Sequence, residues 1–269
     1  MSLLSLESQG GKGGLRVELP SQGGKGGPRV ELPLLINDQE VLASYAREDV
    51  EGLFLPFLRE LTSLRDEARA GGKRVVAFLA APPGAGKSTL ASFLQGLSCG
   101  REGLAPLQAL GMDGFHRPNV WLDAHHLGDD PAAPTLRSVK GAPQTFDVEA
   151  LAAALARLRA GEALRWPSYS RATHDVCAEG PWVESEVVLV EGNYLLLDEP
   201  GWRGLRELCD VSVMLREDSE VLHRRLVARK VAGGSTPEEA EAHYQRSDSR
   251  NVELVLGHSL PADHTWHLG

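Results

Sequence analysis

The chain has 269 residues, 42% hydrophobic and 24% charged, a composition typical of a soluble protein with one sizeable core, alone or with an appendage. Its formal net charge of −9, from 37 acidic and 28 basic side chains, argues against a general nucleic-acid or membrane-surface role, which would favour a basic face. Its three scattered cysteines form neither a metal spacing nor a disulfide framework, and it has no signal layout and no apolar run near the ~20 residues of a membrane span, so we expect a cytoplasmic protein.

A tandem repeat dominates the first 35 residues. Residues 8–20 read SQGGKGGLRVELP and residues 21–33 read SQGGKGGPRVELP. Two Gly-rich copies cannot bury a core, and glycine loses much entropy on ordering. We therefore predict a mobile or loosely docked appendage over residues 1–35 and one domain over residues 36–269.

A helix and then a buried strand precede the most informative motif. The apolar spacing over residues 39–70 predicts a helix that Gly71-Gly72 ends. Residues 75–80, VVAFLA, predict a strand, and residues 81–89 follow it as APPGAGKST.

This Gly-rich segment predicts a loop that binds nucleotide phosphates. Small residues let successive backbone N–H groups turn toward phosphate oxygens, and the following helix points its N-terminus at the anion. Lys87 can reach the β- and γ-phosphates, and the Ser88 hydroxyl can ligate Mg²⁺. Ala81 stands where the strict pattern has Gly, which requires a negative φ there. The predicted nucleotide contacts are Pro83, Gly84, Ala85, Gly86, Lys87, Ser88 and Thr89.

A second strand, residues 107–112, leads into the sequence Asp-Gly-Phe-His. Ligands bind at the carboxyl edge of a parallel sheet, so Asp113 is expected near the γ-phosphate. There its carboxylate can accept a proton from a hydroxyl nucleophile or hold a Mg²⁺-bound water. The alternative is that Asp113 only begins a turn with Gly114.

The segment 117–182 is predicted to be an insertion on the substrate side. Residues 117–145 are irregular and rich in Pro, His, Asp and Gly, and Asp147–Ala160 reads as a helix that Asp147 can cap. Arg171 suggests an anionic or strongly polar acceptor, because a guanidinium group recognises carboxylate or phosphate, although it can equally contact ATP or a surface acid.

A third strand ends in Glu191, followed by Gly192-Asn193. An acidic residue closing a strand beside the phosphate loop suits a magnesium-organising role; the alternative is a carboxylate that faces water. The later run LLLDEP is similar to the magnesium strand of transporter-type ATPases, but the LSGGQ-like helix start of those proteins is missing.

The C-terminal part adds a strand at 211–215, helices at 217–231 and 236–246 and a last short strand at 265–268. Arg225 and Arg229 share one face of the first helix, next to Gly233-Gly234, which suits a lid over residues 224–246 that neutralises phosphoryl charge. The alternative is a solvated basic face paired with nearby acids. Strands alternating with helices predict an α/β fold of about five parallel strands with helices on both faces.

The order of these motifs resembles the phosphoribulokinase/uridine kinase family of P-loop kinases. The matching segments are APPGAGKST, MDGFHRPN, GAPQTFD, PSYSR, VLVEGNYLLLD and RRLVARK. The chain is most similar to a bacterial branch described as fructose-transport or nucleoside kinases, with pantothenate kinase-like features around Asp-Gly-Phe.

This resemblance implies a P-loop NTPase fold that uses ATP and Mg²⁺. It implies that Asp113 is the catalytic base, assisted by Lys87 and Arg229, and that Ser88 and Glu191 serve the metal. Arg225 would join the ATP site. The implied acceptor-binding residues are His116, Asp147, Tyr169, Arg171 and Asn193.

The leading hypothesis is therefore a kinase that phosphorylates a hydroxyl of a small metabolite such as a sugar, a nucleoside or a pantothenate-like compound. Neither nucleic acid nor membrane is expected as a partner, and the resemblance makes a homodimer a possibility. The alternatives are a nucleotide-binding regulatory module and a degenerate kinase without turnover. A guanine-reading NKxD-like segment is missing, which counts against a GTP switch.

Overall fold

The computed structural model describes residues 27–36, 39–68, 71–128, 130–177 and 179–268. The strands are β1 Arg29–Ile36, β2 Gln39–Ala46, β3 Val75–Ala80, β4 Leu107–Gly111, β5 Ser168–Ser170, β6 Asp175–Cys177, β7 Val187–Gly192, β8 Val211–Arg216 and β9 His264–His267. The helices are α1 Arg47–Asp49, α2 Leu55–Ala68, α3 Lys87–Ser98, α4 Asn119–Ala124, α5 Val148–Arg159, α6 Ser219–Ala232, α7 Pro237–His243 and α8 Ser249–Gly257. None of the described helices is long and apolar enough to cross a membrane.

The central sheet has five parallel strands in the order β4-β7-β3-β8-β9. This arrangement confirms the predicted fold class. In the register, Glu191 of β7 lies beside Leu79 of β3 and beside Gly111 of β4. The phosphate loop, the turn that carries Asp113 and the end of β7 therefore meet at one edge of the sheet.

Side chains of the central strand β3 alternate between two cores. Val75, Ala77 and Leu79 pack on the side of α2 and α3, with the hairpin β1–β2. Val76, Phe78 and Ala80 pack on the side of α5 and the insertion. Because both faces are covered, the strand is a continuous apolar run.

The hairpin β1–β2 corrects the predicted domain boundary at residue 35. Its second-repeat segment is ordered, and Val30 and Leu32 are buried against the α3 side of the core. Two repeats do not form a core of their own, but alternation in β1 lets one face pack on an existing one. The first repeat lies outside the described residues.

The helix predicted over 39–70 is also wrong at its start. Residues 39–46 form β2, which pairs antiparallel with β1, and helical structure begins at Arg47. Val41 and Tyr45 are four residues apart, a helical spacing, but together with Ala43 they also fit a period of two, and pairing with β1 selects the strand. At the other end, α7 stops at His243, a π-helical turn spans Tyr244–Asp248, and α8 follows without having been predicted.

Candidate active site

The phosphate loop joins β3 to α3 with two left-handed glycines. Gly84 and Gly86 have φ of +83° and +85°, a conformation that disfavours other residues. A Cβ on Gly84 would also lie 3.0 Å from Leu226 Cγ of α6. His174 is the only non-glycine residue with positive φ in the described ranges. Ala81 therefore has the negative φ that an alanine in place of the usual glycine requires.

Ser88, in the first turn of α3, is joined to the end of β7. Its hydroxyl donates a 2.8 Å hydrogen bond to Glu191 Oε1. Burial raises the pKa of Glu191, and Asp113 raises it further, whereas Lys87, the Ser88 hydrogen bond and Arg171 oppose the shift. Burial therefore outweighs the positive charge that Lys87 and Arg171 supply.

The oxygen donors at this point fit Mg²⁺. Glu191 Oε2 is buried without a hydrogen-bond partner among the described residues. A hydroxyl and a carboxylate are ligands that Mg²⁺ accepts, and it commonly completes its shell with waters and substrate phosphates. No group of three or more His, Cys, Asp or Glu side chains able to hold a metal occurs within the described ranges.

Asp113 lies in a tight 3₁₀ turn, Met112–Phe115, directly after β4. The turn packs against the insertion at Gly114, where a Cβ would overlap the Pro167 carbonyl oxygen. The Asp113 carboxylate is half-buried and has no hydrogen bond or ion pair to any described residue. Its backbone carbonyl instead accepts from the His116 ring, with Nδ1 at 2.9 Å.

A cavity of about 470 Å³ brings together most of the predicted site. Asn193, whose Oδ1 is buried without a described partner, also lines it. The other predicted residues in its wall are Pro83, Gly84, Gly86, Lys87, Ser88, Thr89, Asp113, His116, Arg171, Arg225 and Arg229. Ala85 faces a neighbouring cavity beside the hairpin β1–β2.

Two further cavities, of about 260 and 500 Å³, adjoin this one on the insertion side. Asp113 and Arg171 line all three cavities, and Tyr169 lines both of the added ones. Glu191 lies in the wall of the smaller. Asp113 is thus placed where the phosphate loop and the insertion face each other.

Asp147 lies outside these three walls, contrary to its predicted acceptor role. Its side chain accepts a 3.0 Å hydrogen bond from Ala150 N as the N-cap of α5, and it pairs with Arg117 at 2.8 Å. The capping function proposed from the sequence therefore occupies Oδ1, and the ion pair with Arg117 occupies Oδ2.

The two arginines of α6 differ in their surroundings. Arg225 pairs with Glu217 at 3.0 Å, as the alternative interpretation of a basic face anticipated. Arg229 is exposed, lines the cavity and makes no ion pair with a described residue. Of the two, Arg229 is the one whose guanidinium group lines the cavity without being paired to a described acid.

Several lining residues were missed by the sequence analysis. Lys140 precedes the GAPQTFD segment, and Ile36 and Val41 come from the hairpin assigned otherwise. Three more lining residues lie in or near the π-helical turn: His243 before it, Asp248 at its end and Asn251 in α8. Such turns are often found at functional sites, but the sequence pattern does not reveal them. Lys140 beside a recognised motif was the one signal that could have been used.

Residues 76–255 match the model of the phosphoribulokinase/uridine kinase family. The chain belongs to this family. It is therefore a P-loop kinase by descent, with the nucleotide-binding loop that the geometry shows at Gly84–Lys87. The resemblance inferred from the ordered motifs is confirmed.

Known relatives agree with this assignment. The chain is 41% identical to "Uncharacterized protein YggC" of Escherichia coli (strain K12) over 230 residues, 86% of this chain and 92% of that protein. It is 34% identical to "Putative uridine kinase C227.14" of Schizosaccharomyces pombe over 198 residues, covering 71% and 82%.

Solved structures share the fold. A "putative fructose transport system kinase" from Silicibacter sp. TM1040 is 35% identical, with a TM-score of 0.65, covering 77% of this chain and 98% of that one. YFH7 from Saccharomyces cerevisiae has the same TM-score of 0.65 at 17% identity and speaks to the fold alone.

Proposed function

We propose that this protein is an ATP-dependent kinase that transfers the γ-phosphoryl group to a hydroxyl of a small metabolite, a sugar, nucleoside or pantothenate-like compound. One observation carries the proposal. Asp113 is a carboxylate with no partner among the described residues, at the junction of the phosphate-loop cavity and the two insertion-side cavities.

On the nucleotide side, the chain supplies positive charge and backbone donors. Lys87 and the loop N–H groups bind the β- and γ-phosphates, and Arg229 neutralises charge that develops on the transferred group. Ser88 and Glu191 would hold Mg²⁺, which when bound supplies charge neutralisation across the phosphates.

On the acceptor side, Asp113 takes the hydroxyl proton. The acceptor oxygen forms a bond to the γ-phosphorus, the bond from that phosphorus to the bridging oxygen breaks, and ADP leaves. His116 is a poorer base here, because burial lowers its pKa against the opposing effect of Asp113, and its Nδ1 faces the Asp113 carbonyl. A positioned general base contributes about 10²–10⁴-fold to the rate.

The test is ADP release from Mg·ATP with a panel of sugars, nucleosides, pantothenate and hydroxy acids, using Lys87→Ala as the blank. Stimulation of wild-type release by one acceptor class, with the blank flat, supports the proposal. Tight Mg·ATP binding with no stimulation by any acceptor, and no metabolite bound to the purified protein, would favour a nucleotide-binding module without turnover.

A further inference from the structure

The insertion-side cavity of about 500 Å³ has an excess of basic side chains. Its wall contains four basic side chains and two carboxylates, those of Asp113 and Asp248. Arg229 and Lys230 belong to α6, which packs on the phosphate loop at Gly84. The other two, Lys140 and Arg171, come from the insertion and also line the phosphate-loop cavity, so they stand between the two cavities.

Lys140 is held with one donor unused. Its ammonium donates to Asn119 Oδ1 at 2.6 Å and to the His174 carbonyl at 2.7 Å. Within the part of the chain that the structure describes, the acid within ion-pair distance is Asp175, whose Oδ1 is 4.0 Å away. That oxygen already accepts from the backbone N–H groups of Asn119 and Val176, at 3.0 and 2.9 Å. An ammonium has three donors, so one remains for a ligand.

The carbonyl that positions Lys140 belongs to a strained residue. His174 has φ of +50°, which costs energy for a residue with a side chain. Burial lowers the pKa of Lys140, with opposing effects from Asp175, Asp113 and Asp123 and a further lowering by Arg137. Burial therefore outweighs the nearby carboxylates, and two hydrogen bonds fix the ammonium in place.

Arg171 and Arg137 are two further cations of the insertion. The Lys140 ammonium lies 4.8 Å from the centre of the Tyr169 ring. Burial raises the pKa of Tyr169, as do Asp113 and Asp175, while Arg137 and Arg171 lower it. Arg137 Nη1 is buried without a hydrogen-bond partner in the described ranges, and Arg171 has no ion pair there.

We propose that the phosphoryl acceptor carries an anionic group, a phosphate ester or a carboxylate, which Lys140 and Arg171 bind while its hydroxyl faces Asp113. This inference rests on the proposed function, because it names the substrate class of that site. The anionic group is unchanged in the reaction; it holds the acceptor in place. Lysine offers a point charge and arginine a planar pair of donors, and both suit phosphate and carboxylate oxygens.

The competing explanation is that Lys140 only fastens the β5–β6 hairpin to α4 through Asn119 and His174. It predicts that removing the ammonium lowers stability without any effect on anion binding. Arg171 makes no such contacts, so it provides a variant whose folding is not at risk.

The experiment uses the full chain with its nucleotide site filled by Mg·AMP-PNP, a triphosphate that does not transfer its γ-phosphoryl group. Inorganic phosphate and, separately, acetate are titrated into this complex by calorimetry. We expect saturable binding of one or both anions, weakened about tenfold or more in Lys140→Met and in Arg171→Met, the scale of a lost charge-assisted hydrogen bond. Lys73→Met, at an exposed position outside these cavities, is the matched control.

Binding of phosphate alone identifies a phosphate ester, and binding of acetate alone identifies a carboxylate. The absence of saturable binding of either anion, or equal binding in wild type, Lys140→Met and Arg171→Met, overturns the inference. Retained Mg·AMP-PNP affinity and thermal melting show that each variant is folded. Since no phosphoryl transfer occurs in this experiment, its failure is separate from failure of the kinase assay.

Discussion

The nucleotide half and the acceptor half of the active site are assembled in different ways. The nucleotide half consists of consecutive residues, 83–89, plus Glu191, which β7 places beside β3 by strand register. The acceptor half is held by contacts distant in sequence: Lys140 bonds to His174, 34 residues away, and the Tyr194 hydroxyl bonds to the Gly141 carbonyl, 53 residues away. A local motif fixes the first half, whereas the second exists only once the insertion has folded.

Substitution of Glu191 tests whether the nucleotide half depends on the Ser88–Glu191 pair proposed to hold Mg²⁺. We expect Glu191→Gln to lower turnover by on the order of 10²-fold, because a buried group that organises charge on the phosphates is lost. The rate is measured as a function of Mg²⁺ concentration. Glu184→Gln, an exposed acid in the loop before β7, should behave as wild type; an equal Mg²⁺ response in both variants would contradict the assignment.

The pH dependence of Mg²⁺ use sharpens the same point. Burial raises the pKa of Glu191, so its proton competes with Mg²⁺, and the Mg²⁺ concentration for half-maximal rate should rise up to about tenfold per pH unit below that pKa. Without Mg²⁺, the raised pKa of Glu191 means that folding favours the protonated carboxyl. The contribution of this group to stability is fully present below its unfolded pKa and is lost as pH rises through its folded pKa.

A thermal-melting series completes this prediction. The Tm of metal-free Glu191→Gln minus the Tm of metal-free wild type should increase as pH rises from about the ordinary carboxyl pKa of 4.5 to neutrality. A constant Tm difference between the two proteins at all pH values would show that folding does not raise the pKa of Glu191.

Gly114 joins the two halves, because its turn carries Asp113 and contacts the insertion at Pro167. Gly114→Ala forces these segments apart, and we expect a loss of about 1–3 kcal/mol in unfolding free energy, with a lower kcat. Denaturant titration and steady-state rates measure the two effects. Gly52→Ala, in a helical turn with open space around its Cα, is the control. A stable, fully active Gly114→Ala would show that the two segments can separate without cost.

Asp147 gives the smallest effect and separates its two predicted functions. As the N-cap of α5 its loss in Asp147→Ala should cost about 0.5–2 kcal/mol of stability, while KM for ATP and acceptor stays within about twofold. Asp147→Asn keeps a capping oxygen and should lose less. A large rise in acceptor KM at unchanged Tm would return Asp147 to the acceptor site.

The elements predicted well are those whose signal is local. The run Val75–Ala80 followed by a Gly-rich loop defines β3 and α3. The positions of Asp113 just after β4 and of Glu191 near the end of β7 follow from the two apolar strand runs before them. Sequence patterns also identified the cap of α5 correctly.

The errors arise where tertiary contacts decide. Residues 39–46 fit a helix until β1 pairs with them, and residues 29–33 of the second repeat pack because α3 offers a surface. Lys140 is held in the site by its hydrogen bonds to Asn119 and His174, which are distant from it in the sequence. Several residues of the acceptor half were named from the sequence, but their arrangement could not be predicted because it depends on the folded insertion.

The most direct test of the central claim, that Asp113 serves as the base where the two halves meet, is to measure Mg·ATP affinity and turnover on the same preparation of Asp113→Asn. Asp66→Asn, at an exposed position in α2, is the control. We expect Mg·ATP affinity within about twofold of wild type and a rate lower by on the order of 10²-fold or more. An unchanged rate would contradict the account and place the base elsewhere.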